Sequence, residues 1–459
     1  AALAYLVAGA FFMENLDGTV IANALPQMAR SLGTDVVGLN IGITAYLLAL
    51  SVFVPMSGWV ADRFGARTVF ASAIAVFTFS SILCGLAGSL PAFTFYRVVQ
   101  GLGGAMMVPI GRLVVLRNTE KRDLVKAIAT ITWPGLVAPI LGPPIGGFIT
   151  EHATWRWIFF LNVPLGLIAF GLALWLAPNL REAERKPFDW KGFFLVGISC
   201  TLIMVGLGRV EGGHIQWILV VTLLTLGLTI GLLAIRHLRR TEHPLVPLGA
   251  LRIQTFALTI YGASFFRCAI GATPFLLPLL FQVGFGLGPT KSGLLVLWVF
   301  AGNLAMKPAT TAILRLLGFR TTLLLNGLLA TAALLALALL TPTTPYAVVA
   351  AILFMGGLFR SMQFTALNTI GFADVPSEEI SGANSLANTV GGLTFGLGVA
   401  AGAIALRLGA WLNHSPGDVP TVPDFRIAFV VVAALVLLSL WESLRLPPDA
   451  GREVSGHRV

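Results

Sequence analysis

Charged residues are scarce in this sequence. Of its 459 residues, 11% are Asp, Glu, Lys or Arg and 56% are apolar, and the mean hydropathy is +0.87. Soluble domains carry about 25% charged residues. The low charge therefore argues strongly against a water-soluble enzyme of this length and favours a protein that lies largely within a membrane.

Cysteine, histidine and phosphate-binding motifs are also scarce. The three cysteines, Cys84, Cys200 and Cys268, lie in apolar runs without CxxC spacing, so neither a disulfide framework nor a metal site is expected. The six histidines lie in loops or tails and do not have the spacing of a metal site or proton relay. No GxxxxGK[ST] phosphate-binding pattern is present, which disfavours an ATP-driven pump, and no cofactor is expected.

Long apolar runs, in contrast, fill the chain. A membrane-crossing helix needs roughly 20 mostly apolar residues, and the sequence divides into fourteen such runs with short connections. We therefore predict an all-α polytopic membrane protein. The predicted spans are 3–25, 40–61, 68–88, 91–112, 125–149, 156–177, 192–209, 216–235, 256–281, 291–313, 320–340, 346–369, 380–406 and 425–445.

The basic residues favour one orientation of these spans. If the first span starts in the cytoplasm, nineteen Lys and Arg lie on that side, six on the other, and five of the thirty lie within spans. Such a bias predicts a multi-pass protein of the inner (cytoplasmic) membrane with both termini in the cytoplasm. It also explains the net charge of +10 better than nucleic-acid binding does, so no nucleic-acid partner is expected.

An internal repeat divides the chain. A shift of about 256 residues places Gly101 on Gly357, Gly135 on Gly391 and Gly142 on Gly398, and sets Arg360 on Gly104. Duplication of this kind is typical of transporter folds. We predict two six-helix halves, residues 1–177 and 253–446, separated by an inserted helix pair with linkers over 178–252 and followed by a cytoplasmic tail over 447–459.

The loop between the second and third spans reads GWVADRFGART, from Gly58 to Thr68. Gly58 is predicted to let two helices approach closely, and Gly65 to permit a tight turn. An inter-helix charge latch is expected from Asp62, Arg63 and Arg67. This string resembles the loop signature of the major facilitator superfamily, although Thr68 stands where a second basic residue is usual.

Three further strings resemble the fourteen-helix drug:proton antiporter branch of that family. They are LDGTVIANALP (Leu16–Pro26), RVVQGLGGA (Arg97–Ala105) and GLVAPILGPPIGG (Gly135–Gly147). The resemblance implies a major facilitator fold, proton-driven export by alternating access, a central cavity between the halves, and a protein that works as a monomer on small amphipathic substrates.

The third string also suggests flexibility from its residues alone. Interleaved glycines and prolines make a thin helix that can pack tightly and bend, as a rocking interface requires. The gating residues expected here are Gly135, Gly142, Pro143, Gly146 and Gly147.

Charges within the spans mark the expected chemistry, because an ionised group near the bilayer centre is costly. Glu14 and Asp17 share one helical face. Counting about 1.5 Å per residue places Asp17 and Arg97 at similar depths. We hypothesise that Asp17 binds the proton, that Arg97 stabilises its ionised form and that Glu14 opposes it by like-charge repulsion. A permanent Asp17–Arg97 ion pair is the structural alternative.

The second half carries Arg267, Lys307 and Arg360 within its spans without an obvious acidic partner. Lys307 is more readily explained by snorkelling to the interface. Candidate cavity residues combine apolar and polar side chains: Gln100, Met107, Trp133, Phe160, Arg267, Arg360, Gln363 and Asn388.

Three functions remain open from the sequence. The first is a proton-coupled exporter of amphipathic drugs or other lipophilic compounds. The second keeps the fold but takes a lipid or an anionic amphiphile, because the intramembrane charge is mostly basic. The third, a membrane-embedded enzyme or sensor, lacks support because no HExxH, histidine cluster or nucleophile motif occurs.

Overall fold

The computed structural model describes residues 2–118, 124–179, 187–210, 216–242, 244–376, 379–415, 419–447 and 449–451. Across these ranges the chain is helical and forms no β-strand. The first nine helices are α1 (Ala2–Val20), α2 (Leu25–Leu32), α3 (Asn40–Phe53), α4 (Ser57–Phe64), α5 (Ala66–Leu86), α6 (Leu90–Arg117), α7 (Leu124–His152), α8 (Arg156–Phe160) and α9 (Asn162–Leu176).

Eight helices follow. They are α10 (Trp190–Val210), α11 (Trp217–Leu238), α12 (Gln254–Leu279), α13 (Pro289–Met306), α14 (Thr310–Ala338), α15 (Tyr346–Gly371), α16 (Ile380–Leu412) and α17 (Val422–Leu444). We call the face of the bundle at which α1 begins and α17 ends the terminal face, and the opposite face the distal face.

The predicted spans all coincide with helices, but they differ in apolar character. Eleven helices in the described ranges are long and apolar enough to cross a membrane. The first, fifth and tenth spans are helical but are not among these eleven. In α1 the polar side chains of Glu14, Asn15 and Asp17 lower the mean hydropathy of the helix. A fourteen-helix count therefore stays a prediction.

Two glycines at corresponding places in the repeat turn the chain sharply. Gly65, between α4 and α5, has a φ of 95°, and Gly318, within α14, has a φ of 68°. Positive φ values favour glycine because it lacks a Cβ atom. The two glycines lie 253 residues apart, close to the shift that relates the halves, and each is followed two residues later by an arginine, Arg67 or Arg320. The repeat therefore extends to the geometry of this turn.

Helix packing follows the repeat as well. In the first half α1 packs on α7 and α9, α5 packs on α6 and α9, and α3 packs on α6. The second half repeats each contact: α12 on α16 and α17, α14 on α15 and α17, and α13 on α15. The halves meet through α7 against α13 and through α3 against α16.

The inserted pair lies at the edge of this arrangement. α10 and α11 pack on each other, and α10 also touches α3 and α16. Large apolar side chains on α11, including Trp217, Ile218 and Leu232, are exposed. Such a surface suits contact with lipid tails rather than water.

Asp189 joins the two linkers of the inserted pair. Its carboxylate lies 2.7 Å from His237 Nε2 and accepts the backbone N–H groups of Gly192 at 2.8 Å and Leu245 at 3.1 Å. Partial burial alone would raise the pKa of Asp189, but these hydrogen bonds lower it below its ordinary value. The start of α10 is thereby fixed to the end of α11.

The glycines of α7 bring the halves into backbone contact near the distal face. A Cβ atom on Gly147 would meet the carbonyl oxygen of Pro289, and one on Gly293 would meet that of Pro143. Within the first half, a Cβ atom on Gly142 would meet Thr19, and one on Gly146 would meet Val20. A methyl group at these positions would force the helices apart.

We predict that Gly147→Ala opens the distal face. The added methyl group clashes with backbone on α13, so the closed arrangement loses stability. Ser292, which is fully buried there, is changed to Cys in a chain whose three native cysteines are replaced by Ala. The cysteine introduced at position 292 should react several-fold faster with a membrane-impermeant maleimide when Gly147 is also changed to Ala.

Gly171→Ala is the matched control, because a methyl group on that glycine of α9 meets no atom within 4 Å. It should leave the labelling rate unchanged. Equal labelling rates in the Gly147→Ala and Gly171→Ala proteins would contradict a seal made by α7 and α13.

Candidate functional site

A buried ion pair joins α1 to α6. Arg97 Nη1 lies 2.6 Å from Asp17 Oδ2, and neither side chain is exposed (0% for both). The two helices run in opposite directions, so residues that the sequence places at similar depth become neighbours. A buried pair is held in place only when further donors satisfy its remaining lone pairs.

Two amides supply those donors. Gln100 Nε2 donates to Asp17 Oδ1 at 3.0 Å, and Asn162 Nδ2 donates to the same oxygen at 2.8 Å. Gln100 also accepts from Arg97 Nη1 at 2.6 Å. Three donors thus converge on one carboxylate, the arrangement expected for an ionised Asp17.

Aromatic and hydroxyl groups surround this cluster. The Arg97 guanidinium lies 4.1 Å from the centroid of the Tyr46 ring, a cation–π distance. Asn162 also donates to Ser81 Oγ at 3.0 Å, and Ser81 donates to the backbone oxygen of Phe159 at 2.9 Å. The Asp17 cluster therefore connects α1, α3, α5, α6 and the α8–α9 region.

Glu14 lies one turn from Asp17 and differs from it in access. Its side chain is partly exposed, yet its Oε2 atom is buried without a hydrogen-bond partner among the described residues. The Tyr46 hydroxyl also lacks such a partner. Both groups border Gly104, whose Cβ would lie 3.6 Å from Glu14 Cδ and 3.4 Å from the Tyr46 oxygen.

A cavity of about 580 Å³ lies in the second half. Arg267, Arg360 and Asn388, three of the expected cavity residues, line it. Its lining extends to Phe372, just beyond α15, and to Asn384, near the start of α16. Because both helix ends lie at the terminal face, the cavity reaches that face.

Other expected cavity residues lie elsewhere. Gln100 is buried in the Asp17 cluster, and Met107 packs in the apolar core of the first half. Gln363 is buried and contacts Asn326 Nδ2 at 3.0 Å. Phe160 packs beside Gly85. None of these four lines the second-half cavity in this conformation, so their assignment to a substrate cavity stays a prediction. The side chain of Trp133 lies outside the described residues.

Polar contacts close the halves at the distal face. Ser292 Oγ donates to Asn23 Oδ1 at 3.0 Å, and Gln282 Nε2 donates to the Asn23 backbone oxygen at 3.0 Å. Across the same face, Asp35 forms an ion pair with Arg407. Sequence reasoning missed this seal because Asn23, although it lies in the LDGTVIANALP string, contacts Gln282 and Ser292, which are distant from it in the sequence.

The loop from Gly58 to Thr68 shows some of the expected contacts and lacks others. The Arg63 guanidinium lies 5.5 Å from the Trp59 ring centroid, and Arg67 is exposed. A methyl group at Gly58 would meet no atom within 4 Å, so the expected close helix approach at Gly58 is absent in this conformation. The charge latch through Asp62, Arg63 and Arg67 stays a prediction.

No group of three or more His, Cys, Asp or Glu side chains that could hold a metal ion occurs in the part of the chain that the structure describes. Lys307 donates to Thr365 at 3.1 Å and is exposed.

Comparison with known proteins agrees with this architecture. The family model described as Major Facilitator Superfamily matches residues 7–399. A protein of Escherichia coli O139:H28 named "Putative multidrug resistance protein MdtD" is 33% identical over 455 residues, covering 98% of this chain and 96% of its own length. Its counterpart in E. coli O6:H1 is 32% identical over the same coverage.

Solved structures share the fold. A point mutant of the nucleoside transporter NupG superposes with a TM-score of 0.65 at 13% identity, covering 97% of this chain and 99% of its own. A bacterial homologue of the human lysosomal transporter Spinster, described as inward-facing and unoccupied, gives 0.64 at 15% identity, with 98% and 96% coverage.

We predict that Arg97→Gln lowers the free energy of unfolding by about 3 to 5 kcal/mol, because it leaves a buried carboxylate without its counter-ion. The double variant Asp17→Asn with Arg97→Gln should recover much of this loss, since no buried charge remains. The free energies of unfolding of the native protein and of its single and double variants are measured by SDS titration in mixed micelles.

Glu442→Gln is the control for this unfolding measurement, because it removes one partner of an exposed ion pair. Glu442 pairs with Arg445 at 3.1 Å, and the side chains are 30% and 60% exposed. An exposed pair contributes about 1 kcal/mol or less. An Arg97→Gln variant no less stable than Glu442→Gln would show that the buried pair does not hold the first half together.

Proposed function

The chain belongs to the major facilitator superfamily, and we propose that it exports amphipathic compounds in exchange for protons by alternating access of the cavity that Arg267 and Arg360 line. Membership makes it a multi-pass membrane transporter. The observation that carries proton coupling is a membrane-embedded carboxylate, Asp17, with a partly exposed second acid, Glu14, one turn away.

The conformation supports alternating access. Contacts at Asn23, Ser292 and Gln282 close the distal face, whereas the cavity reaches the terminal face. The bias of nineteen to six basic residues supports a cytoplasmic position of the terminal face. This state is then the one that loads substrate from the cytoplasm, in a cytoplasmic membrane with both termini inside.

Glu14 provides the route for protons in this proposal. Asp17 has no exposed surface of its own, so it cannot exchange protons with solvent directly. Glu14 lies on the same helical face, is partly exposed and has an oxygen without a partner among the described residues. A proton on that oxygen can pass to Asp17 when the cluster loosens.

In this proposal, proton binding at Asp17 is coupled to the conformational change because the two conformations differ in their affinity for the proton. Three donors stabilise ionised Asp17 in the state open at the terminal face, so this state releases the proton. Protonation of Asp17 weakens those contacts and favours the state open at the distal face. The proton gradient supplies the energy, no cofactor takes part, and one chain in the bilayer completes the cycle.

We predict that Asp17→Asn abolishes proton exchange. Proteoliposomes are loaded with acid, and potassium with valinomycin holds the membrane potential at zero. Adding octane-1-sulfonate or octyltrimethylammonium, which share one tail and differ in charge, should make the lumen alkaline through the native protein. The Asn variant should lose at least nine-tenths of this response, and Glu14→Gln should slow it.

Glu442→Gln, which alters an acid outside the Asp17 cluster, should retain the native response. Full proton release by the Asp17→Asn protein would contradict the assignment of Asp17. If the native protein moved both amphiphiles and no protons, uniport would replace antiport.

A further inference from the structure

Two guanidinium groups from different helices line the second-half cavity. Arg267 comes from the middle of α12, and Arg360 comes from α15. In the repeat, Arg360 takes the place of Gly104, which borders Glu14 in the first half. The position that borders an acid in the first half is therefore occupied by a cation in the second half.

The remaining lining of the cavity is neutral. Its polar side chains are amides and one hydroxyl, and none of the described residues that line it is acidic. A cavity with two cations and no carboxylate repels a cationic substrate and attracts an anion. Its neutral polar residues are Asn303, Ser361, Asn368, Asn384 and Asn388.

The two arginines differ in how they are held. Arg267 Nη2 donates to Asn368 Oδ1 at 3.0 Å, which orients its guanidinium. Gly391 lies beside it, and a Cβ there would be 3.6 Å from Arg267 Nε. The structure gives Arg360 no hydrogen bond or ion pair with any described residue, so its donors remain available to a ligand.

An apolar crevice adjoins the cavity within the second half. It has a volume of about 50 Å³ and is lined by Phe266, Val299, Leu334 and other apolar side chains. Arg360 and Ile270 line both spaces. A ligand headgroup at Arg360 would therefore have apolar surface directly beside it.

We propose that this cavity binds an anionic amphiphile, with its carboxylate, sulfonate or phosphate headgroup between Arg267 and Arg360 and the start of its apolar tail in the crevice. Guanidinium groups match the planar geometry of such anions through paired hydrogen bonds. Binding needs only the cavity, whereas export of the ligand rests on the proposed antiport. The proposed substrate class thereby narrows from amphipathic compounds to anionic amphiphiles.

Binding of octane-1-sulfonate to the full chain in lipid nanodiscs, measured by calorimetry against empty nanodiscs, tests the site. The native protein should bind it at least tenfold more tightly than octyltrimethylammonium. Arg360→Gln and Arg267→Gln should each weaken sulfonate binding at least tenfold, and Arg360→Lys should retain more affinity than Arg360→Gln. Lys307→Gln, which removes a cation outside the lining, should bind normally.

A second variant tests the crevice. Gly356 lines it, and a Cβ there would meet only Ala333, at 3.8 Å, so Gly356→Val fills the space without a backbone clash. It should weaken octane-1-sulfonate binding several-fold and leave ethane-1-sulfonate binding unchanged. A folded Gly356→Val protein that binds both sulfonates normally would exclude the crevice as the tail site.

The outcomes separate this inference from the proposed function. Tighter binding of octyltrimethylammonium, or native sulfonate affinity in both arginine variants, would overturn the anion site even if proton exchange occurs. Sulfonate binding that depends on Arg360, without proton exchange in proteoliposomes, would support the site and overturn antiport.

Discussion

An ionised carboxylate within a membrane-spanning helix must find its donors on neighbouring helices, because lipid offers none. Asp17 finds them on α6 and α9, through Arg97, Gln100 and Asn162. Ser81 and Tyr46 extend the same cluster to α5 and α3. The relative rotation and depth of five helices in the first half thus depend on one carboxylate. In the proposed mechanism, a proton on that carboxylate changes the packing of these helices.

The two halves share helix packing but differ in chemistry. In the first half Asp17 is buried and neutralises the buried Arg97, and Glu14 borders Gly104. In the second half Arg360 occupies the position that corresponds to Gly104 and lines a cavity with Arg267. Duplication supplies the rocking framework, and divergence at such positions separates the proposed proton site from the proposed substrate site. The glycine contacts of α7 with α13 join the two.

Sequence reasoning predicted much of this arrangement. Apolar runs located the helices, matched glycines located the repeat, and equal depth predicted that Asp17 and Arg97 are neighbours. Helix rotation was not predictable, because hydropathy says little about which side of a fully apolar helix faces a cavity. Gln100, Met107 and Gln363 are buried away from the cavity in this conformation. Asn162 and the Asp35–Arg407 pair were missed since each depends on contacts between segments distant in sequence.

The central claim is that protonation of Asp17 shifts the protein between its two conformations. The most direct measurement is the distance between spin labels at the exposed distal residues Arg30 and Trp411, recorded between pH 8 and pH 5. We expect acidification to lengthen this distance in the native protein, and the Asp17→Asn protein to show the longer distance at every pH. An equal pH response in both proteins would contradict the account.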